Sequence, residues 1–109
     1  MSRAQGDIAE EKAVEYLRNA GFRIIDRNVS SRFGEIDIIA LKGDVLHFIE
    51  VKSALEYELA MRNITPKKLQ RILRTADVYM KKHRLEIDYS IDAVAVMPES
   101  IEMLENITI

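Results

Sequence analysis

Two runs of β-branched and aromatic residues, Glu35 to Leu41 and Val45 to Ser53, are held apart only by Lys42-Gly43-Asp44. This is the feature that most constrains the fold. Each run reads as a strand, and Gly43-Asp44 suits a two-residue hairpin loop. Such a loop makes Lys42 face Val45, Leu41 face Leu46 and Ile39 face Phe48. Continued outward, the same register sets Asp37 against Glu50 and Glu35 against Lys52. Opposed residues share a sheet face, with Cβ atoms about 4.5 to 5.5 Å apart, so Asp37 and Glu50 form a pair of like charges that destabilises a hairpin unless something offsets it.

A hard divalent cation offsets it well. Mg²⁺ takes one or two carboxylates together with water and phosphate oxygens at about 2.0 to 2.1 Å. Lys52 lies two residues beyond Glu50 and therefore on the same face. There a lysine can hold an attacking water, donate to a phosphate oxygen or stabilise developing negative charge. The competing reading is structural: Glu35 and Lys52 form a plain cross-strand ion pair, worth at most about 1 kcal/mol, and the two acids fan into solvent. The apolar setting of Ile36, Ile38, Ile39, Phe48, Ile49 and Val51 favours the site, because isolated acids rarely sit in such strands without a partner or a function. For Glu35 itself the ion pair with Lys52 is favoured over a ligand role in place of Asp37.

The rest of the chain supplies the frame. Ser2 to Ala20 has helical spacing of Ala9, Ala13, Tyr16, Leu17 and Ala20, and Gly21 suits the position after a helix end. Glu10 borders that apolar stripe. Phe22 to Arg27 predicts a short strand, followed by a polar stretch from Asn28 to Phe33. Leu55 to Asn63 is weakly helical. Thr65-Pro66 reads as an N-cap and first turn, opening a helix whose apolar stripe is Leu69, Ile72, Leu73, Ala76 and Met80. Ser90 to Met97 predicts another strand, and Ile101 to Ile109 a short edge strand. The order suggests an α/β or α+β layer in which a mixed sheet is flanked by helices. The strand after the basic helix can run parallel to one of the hairpin strands through a crossover.

With 109 residues the expectation is a single domain with one core. There is no cysteine, which removes disulfides, thiolate nucleophiles and cysteine-ligated zinc. No signal peptide or run of roughly 18 apolar residues is evident, so a cytoplasmic protein with no membrane partner is expected. The net charge of −2 conceals a strong asymmetry. Between Arg62 and Arg84 the balance is +7, leaving −9 for the remainder. A solvated helix face is the ordinary explanation of such a run; an electrostatic footprint for phosphates is the functional one.

The strings Gly34-Glu35-Ile36-Asp37-Ile38-Ile39-Ala40 and Phe48-Ile49-Glu50-Val51-Lys52 resemble the split acid…Glu-x-Lys motif of the PD-(D/E)xK nuclease superfamily. With Gly6 to Glu10, Arg27-Asn28, Thr65-Pro66, Lys68 and Asp92-Ala93-Val94-Ala95-Val96, the chain is more narrowly similar to the YraN family of small bacterial proteins (uncharacterised protein family 0102). These in turn resemble archaeal Holliday-junction resolvases. The resemblance implies a restriction-endonuclease-like αβββαβ core, Mg²⁺ or Mn²⁺ held by Asp37, Glu50 and the Val51 carbonyl, Lys52 as the catalytic lysine and Glu10 as the acid from the first helix. Lys68 matches a family position from which it reaches a phosphate. The chain departs from the family pattern between Ser53 and Asn63, which lack an aromatic–glycine loop.

Together these readings lead to a metal-dependent endonuclease acting on DNA, recognising structure, branched DNA included, and not sequence. Lys67, Lys68, Arg71 and Arg74 would grip backbone phosphates. A chain this small offers little surface to DNA, and a homodimer or a protein partner is one way to enlarge it. Two alternatives stand beside this: a nucleic-acid-binding module that cuts nothing alone, and an accessory protein whose basic helix docks another protein. His47 and Asp92 are expected to be satisfied structural residues, and His83 to close the basic helix.

Overall fold

The computed structural model describes residues 3 to 108. The chain begins with α1 (Arg3–Asn19) and continues through three strands, β1 (Arg23–Ser31), β2 (Gly34–Lys42) and β3 (Val45–Ser53). After a short helix α2 (Tyr57–Arg62) and a long helix α3 (Pro66–Lys82) come β4 (Asp88–Val96) and β5 (Ile101–Leu104). The five strands form one sheet in sequence order. Neighbours are antiparallel except β3 and β4, which run parallel because α2 and α3 carry the chain back across the sheet. The result is a mixed sheet flanked by helices, in keeping with an αβββαβ nuclease-like core.

Each face of the sheet is covered chiefly by one amphipathic helix, with α2 packing on Ala95 and Met97 beside them. Ala9, Ala13, Val14 and Leu17 of α1 bury against Ile38, Ala40, Ile49, Val51, Val94 and Val96. On the other face Ile72, Ala76 and Tyr79 of α3 bury against Ile36, Ile39, Leu46, Phe48 and Ile91. β4, covered on both faces, is buried continuously from Ile91 through Val96, as a strand inside a covered sheet should be. Thr65 caps α3 by accepting from the Lys68 N–H at 3.2 Å, with Pro66 in the first turn, as its residue type and position predict.

Several expected boundaries move. The first strand does not stop at Arg27: Val29, Ser30 and Ser31 pair with Ile36, Glu35 and Gly34. Its polar residues are tolerated because β1 is an edge strand with half its surface in water. The weak helix between Leu55 and Asn63 contracts to six residues, and the last strand to four. Tyr79 joins the α3 stripe, its ring meeting Phe48 edge-on at 5.9 Å. The expected first position Ser2 of α1 and the final Ile109 lie outside the described residues.

One irregularity matters for function. Residues two apart on a strand should face the same way, yet Ile38 packs under α1 while Ile36 packs under α3. Opposite them, Arg27 reaches α1 while Val29 lies with the α3 cluster. The β1–β2 ribbon therefore turns over between these pairs, at Asn28 and Asp37. Asn28 makes this possible by adopting a left-handed conformation, φ 52°, which asparagine tolerates better than most residues.

Candidate active site

The turn-over changes the hairpin register predicted for the acids. Pairing of β2 with β3 runs from Lys42–Val45 to Ile38–Ile49, as the Gly43-Asp44 loop dictates, and stops there. Asp37 does not continue the ladder opposite Glu50. Its carboxylate swings into the opening and accepts the Val51 N–H at 2.7 Å, replacing the bond that a β2 carbonyl would have made. In an extended strand the N–H and C=O of one residue point to the same edge, so the Val51 carbonyl is also directed at the opening.

Glu50 and Lys52 follow Leu46 and Phe48 at two-residue spacing and so lie on the α3 face of β3. Lys52 Nζ is 3.3 Å from Glu50 Oε1. The expected pairing of Lys52 with Glu35 is thus incorrect. Glu35 pairs instead with Ser30 in the β1–β2 ladder, because the hairpin strands have parted before reaching it. Glu50 is the partner that Lys52 has.

Asp37 and Glu50 nevertheless meet. The Asp37 carboxyl is pushed up to about 7, first by burial and next by the charge of Glu50. The Val51 N–H pulls the other way, while a hydrogen bond shared with Glu50 and the more distant charge of Glu10 push it further up. Asp37 therefore holds its proton to higher pH than an ordinary carboxylate does.

Glu10 approaches from the α1 face. It is nearly buried and accepts from Arg27 Nε at 3.0 Å and from Asn28 Nδ2 at 3.1 Å. Arg27 also meets Glu11 at 2.7 Å, and its guanidinium is held still more firmly in the charged form by Glu11, against the effect of burial, with help from Glu10. Glu10 thus influences Asp37 through its charge, with its carboxylate oriented by β1. The role of Asn28 was open to sequence reasoning only in part: a left-handed asparagine is a common turn residue, but nothing local signals that its amide reaches α1.

The basic residues stand on the first turns of α3. Lys67, Lys68, Arg71 and Arg74 are all exposed. Lys68 Nζ donates to the Asn63 carbonyl at 2.9 Å and so braces the α2–α3 turn. Arg71 runs past Gly34, at whose position an added Cβ would come within 3.4 Å of the arginine Cβ. The basic face consequently passes the Gly34 end of β2, the strand that carries Asp37.

The two residues expected to be structural are so. Asp92 is fully buried and accepts from His47 Nδ1 and Ser90 Oγ at 2.5 Å each, and from the Asn106 N–H at 2.8 Å. His47 lies against the Phe22 ring at 4.9 Å. This clasp fixes the segment after β5 to the middle of the sheet and takes no part in the acid pair. His83 caps the end of α3.

Paired acids, a lysine in contact with one of them and a strand opening in a mixed five-stranded sheet define a small α/β protein with a nuclease-like core. The chain belongs to the family described as Uncharacterised protein family UPF0102, whose profile it matches over residues 9–96. It is 57% identical to a UPF0102 protein of Sulfurimonas denitrificans, over the full length of both chains. Similar proteins of the same description occur in Aliarcobacter butzleri, at 50% identity over 99% of each chain, and in Wolinella succinogenes, at 48% over the whole of both. No described helix is long and apolar enough to cross a membrane.

Proposed function

We propose that this protein is a Mg²⁺- or Mn²⁺-dependent endonuclease that hydrolyses DNA phosphodiester bonds, with Asp37, Glu50, Lys52 and Glu10 as its working residues. The observation that carries the proposal is the geometry of the strand opening, where Asp37 accepts the Val51 N–H at 2.7 Å and Lys52 stands 3.3 Å from Glu50, with burial and the charge of Glu50 raising the hold of Asp37 on its proton. A divalent cation would take that proton's place. The donor set fits a hard cation: two carboxylates and a directed backbone carbonyl, with room left for water and phosphate oxygens. When bound, the metal supplies charge neutralisation and a water of lowered pKa.

The chain's own groups have definable tasks. Asp37 is anchored through the Val51 N–H, leaving its other oxygen for the metal. Glu50 would be the second carboxylate to hold the metal, and Lys52, 3.3 Å from it, would donate to a phosphate oxygen or to the attacking water. Glu10, held by Arg27 and Asn28, fixes the electrostatic level of the site from the far face. Lys67, Lys68, Arg71 and Arg74 would hold backbone phosphates without reading bases, which suits selection by DNA structure, branched DNA included. A second copy or a protein partner would extend this small surface. The reading entails a cytoplasmic location, where the DNA is.

Titration calorimetry with Mn²⁺ tests the metal site: wild type should bind, and the Asp37→Ala/Glu50→Ala protein should give heats of dilution only. Cleavage of duplex and branched DNA in Mn²⁺ should disappear in the same variant. Equal heats from both proteins would eliminate the site.

A second reading has its own support. Among the described residues no three or more His, Asp or Glu side chains stand ready to ligate one ion, and Glu10 already has two partners. A nucleic-acid-binding protein that keeps the fold without cutting accords with this. It predicts salt-sensitive DNA binding with no cleavage in any metal. Binding that ignores salt would point instead to a protein partner for α3.

A further inference from the structure

The turn between β1 and β2 carries Arg32 and Phe33, and neither enters the acid site. Arg32 lies over the Phe33 ring at 4.9 Å, and Arg74 of α3 approaches the same ring at 5.5 Å. Two exposed guanidinium groups from separate elements are thus gathered at one phenyl ring. Neither is within ion-pair distance of an acid among the described residues. The quadrupole of the ring attracts each cation, while the cations repel each other. An unpaired arginine pair of this kind suits an anion with several oxygens, and guanidinium favours phosphate by its fork of donors.

A groove of about 550 Å³ opens beside this pair, between the β1 edge and α3. Its volume lies in the range that accommodates a small organic ligand. Ser30 and Ser31 line one wall, Val78, Lys82 and His83 the other. The acidic residue in the lining is Asp26, and the Tyr79 phenol is held in its protonated form by burial and by the charge of that neighbour. The groove is therefore positive at its rim, apolar in its wall and supplied with hydroxyls. Phe33 is four residues from Asp37 along the chain, about 13 Å if extended, which places the arginine pair a few nucleotides from the acids.

We propose that the groove between β1 and α3 holds an unpaired nucleotide of the DNA substrate, with its phosphate between Arg32 and Arg74 and its nucleoside against the groove wall. Phe33 is a positioning residue that sets the two guanidinium groups. This rests on the reading of the protein as acting on DNA, and it narrows the substrate to DNA with a single-stranded stretch beside the duplex.

The test is binding in EDTA, where the acid site does not contribute, to a blunt duplex and to the same duplex bearing a short oligothymidine tail. Wild type should prefer the tailed duplex about tenfold. Arg32→Ala should remove most of that preference and lower the slope of log affinity against log salt by about one, on the tailed duplex only. Phe33→Leu, which keeps apolar volume but not the quadrupole, should also reduce the preference, with thermal unfolding unchanged within a few degrees. Arg74→Ala should weaken both duplexes. No preference in wild type, or a loss in Arg32→Ala or Phe33→Leu that falls equally on both duplexes, would overturn the proposal, as would an oligoglutamate competing as well as free oligothymidine. Cleavage is read separately in Mn²⁺: a tail preference without cleavage sinks the nuclease reading and leaves the groove standing, and cleavage without a tail preference does the reverse.

Discussion

Asp37→Asn should stabilise the metal-free protein at alkaline pH and leave it unchanged in acid. An aspartate in the unfolded chain loses its proton near pH 4, whereas folded Asp37 keeps it up to about 7. Between those values the folded protein binds more protons than the unfolded chain, so stability falls as pH rises. The contribution is complete below about pH 4 and lost above about pH 7. A displacement from 3.8 to about 7 corresponds to roughly 4 kcal/mol. That is a ceiling, since Lys52 beside Glu50 already offsets part of the repulsion and the opening can relax.

Asparagine keeps an oxygen for the Val51 N–H and offers Glu50 an N–H in place of the acid proton, so the contacts survive while the repulsion goes. Urea unfolding in EDTA should show Asp37→Asn more stable than wild type by about 2 to 4 kcal/mol at pH 8, equivalent to about 10 °C or more for a domain of this size. At pH 4 the two proteins should coincide. Saturating Mn²⁺ at pH 8 should then reverse the order, raising wild type by about 2.7 kcal/mol at a hundredfold excess over its Kd and the variant hardly at all. A variant less stable than wild type at pH 8 in EDTA would refute the electrostatic account of the pair.

Lys52→Met should retain Mn²⁺ binding in calorimetry, or strengthen it slightly because Glu50 loses a competing cation, while single-turnover DNA cleavage falls at least 100-fold. Asn28→Ala forces a Cβ-branch-free but L-restricted residue into the left-handed region and removes a Glu10 partner, for about 1 to 2 kcal/mol lost in urea unfolding. Asn28→Gly relieves the backbone part alone and should lose less. Asp92→Ala leaves His47, Ser90 and the Asn106 N–H without their acceptor and should cost about 3 kcal/mol. Hydrogen exchange should meanwhile accelerate at Asn106 and Ile107.

The fold was legible where local pattern and tertiary demand agree. Gly43-Asp44 sets the inner hairpin register, the Thr65-Pro66 cap starts α3, and the Ile91 to Val96 run reads as a covered strand. It was less legible where a residue answers to a distant partner. The strand β1 continues past Arg27 because β2 offers it a ladder, though Asn28 to Ser31 look like a loop by composition. Extrapolating the hairpin register brought Asp37 and Glu50 together for a reason only partly right. They meet because β2 turns over and sends Asp37 sideways, and the same event takes Glu35 away from Lys52. A period-two rule cannot anticipate a half-turn in a ribbon when its cause is one backbone φ on the neighbouring strand.

That half-turn also explains how acids from opposite faces of a sheet come to influence one carboxyl, that of Asp37. Glu50 and Lys52 belong to the α3 face and Glu10 to the α1 face, and an unbroken sheet would keep them apart. With β2 and β3 parted beyond Ile38 and Ile49, Asp37 stands in the gap, hydrogen-bonded to the β3 backbone, its carboxyl raised by burial and by the charges of Glu50 and Glu10. Asn28 joins the two parts of the device: its left-handed backbone accompanies the turn-over, and its amide holds Glu10 on the far side. The strain at Asn28, the repulsion at Asp37 and the unpaired end of the ladder are each unfavourable alone. Their concentration at one place, beside the basic start of α3, is what an anion-handling metal site would require and what packing alone would not select.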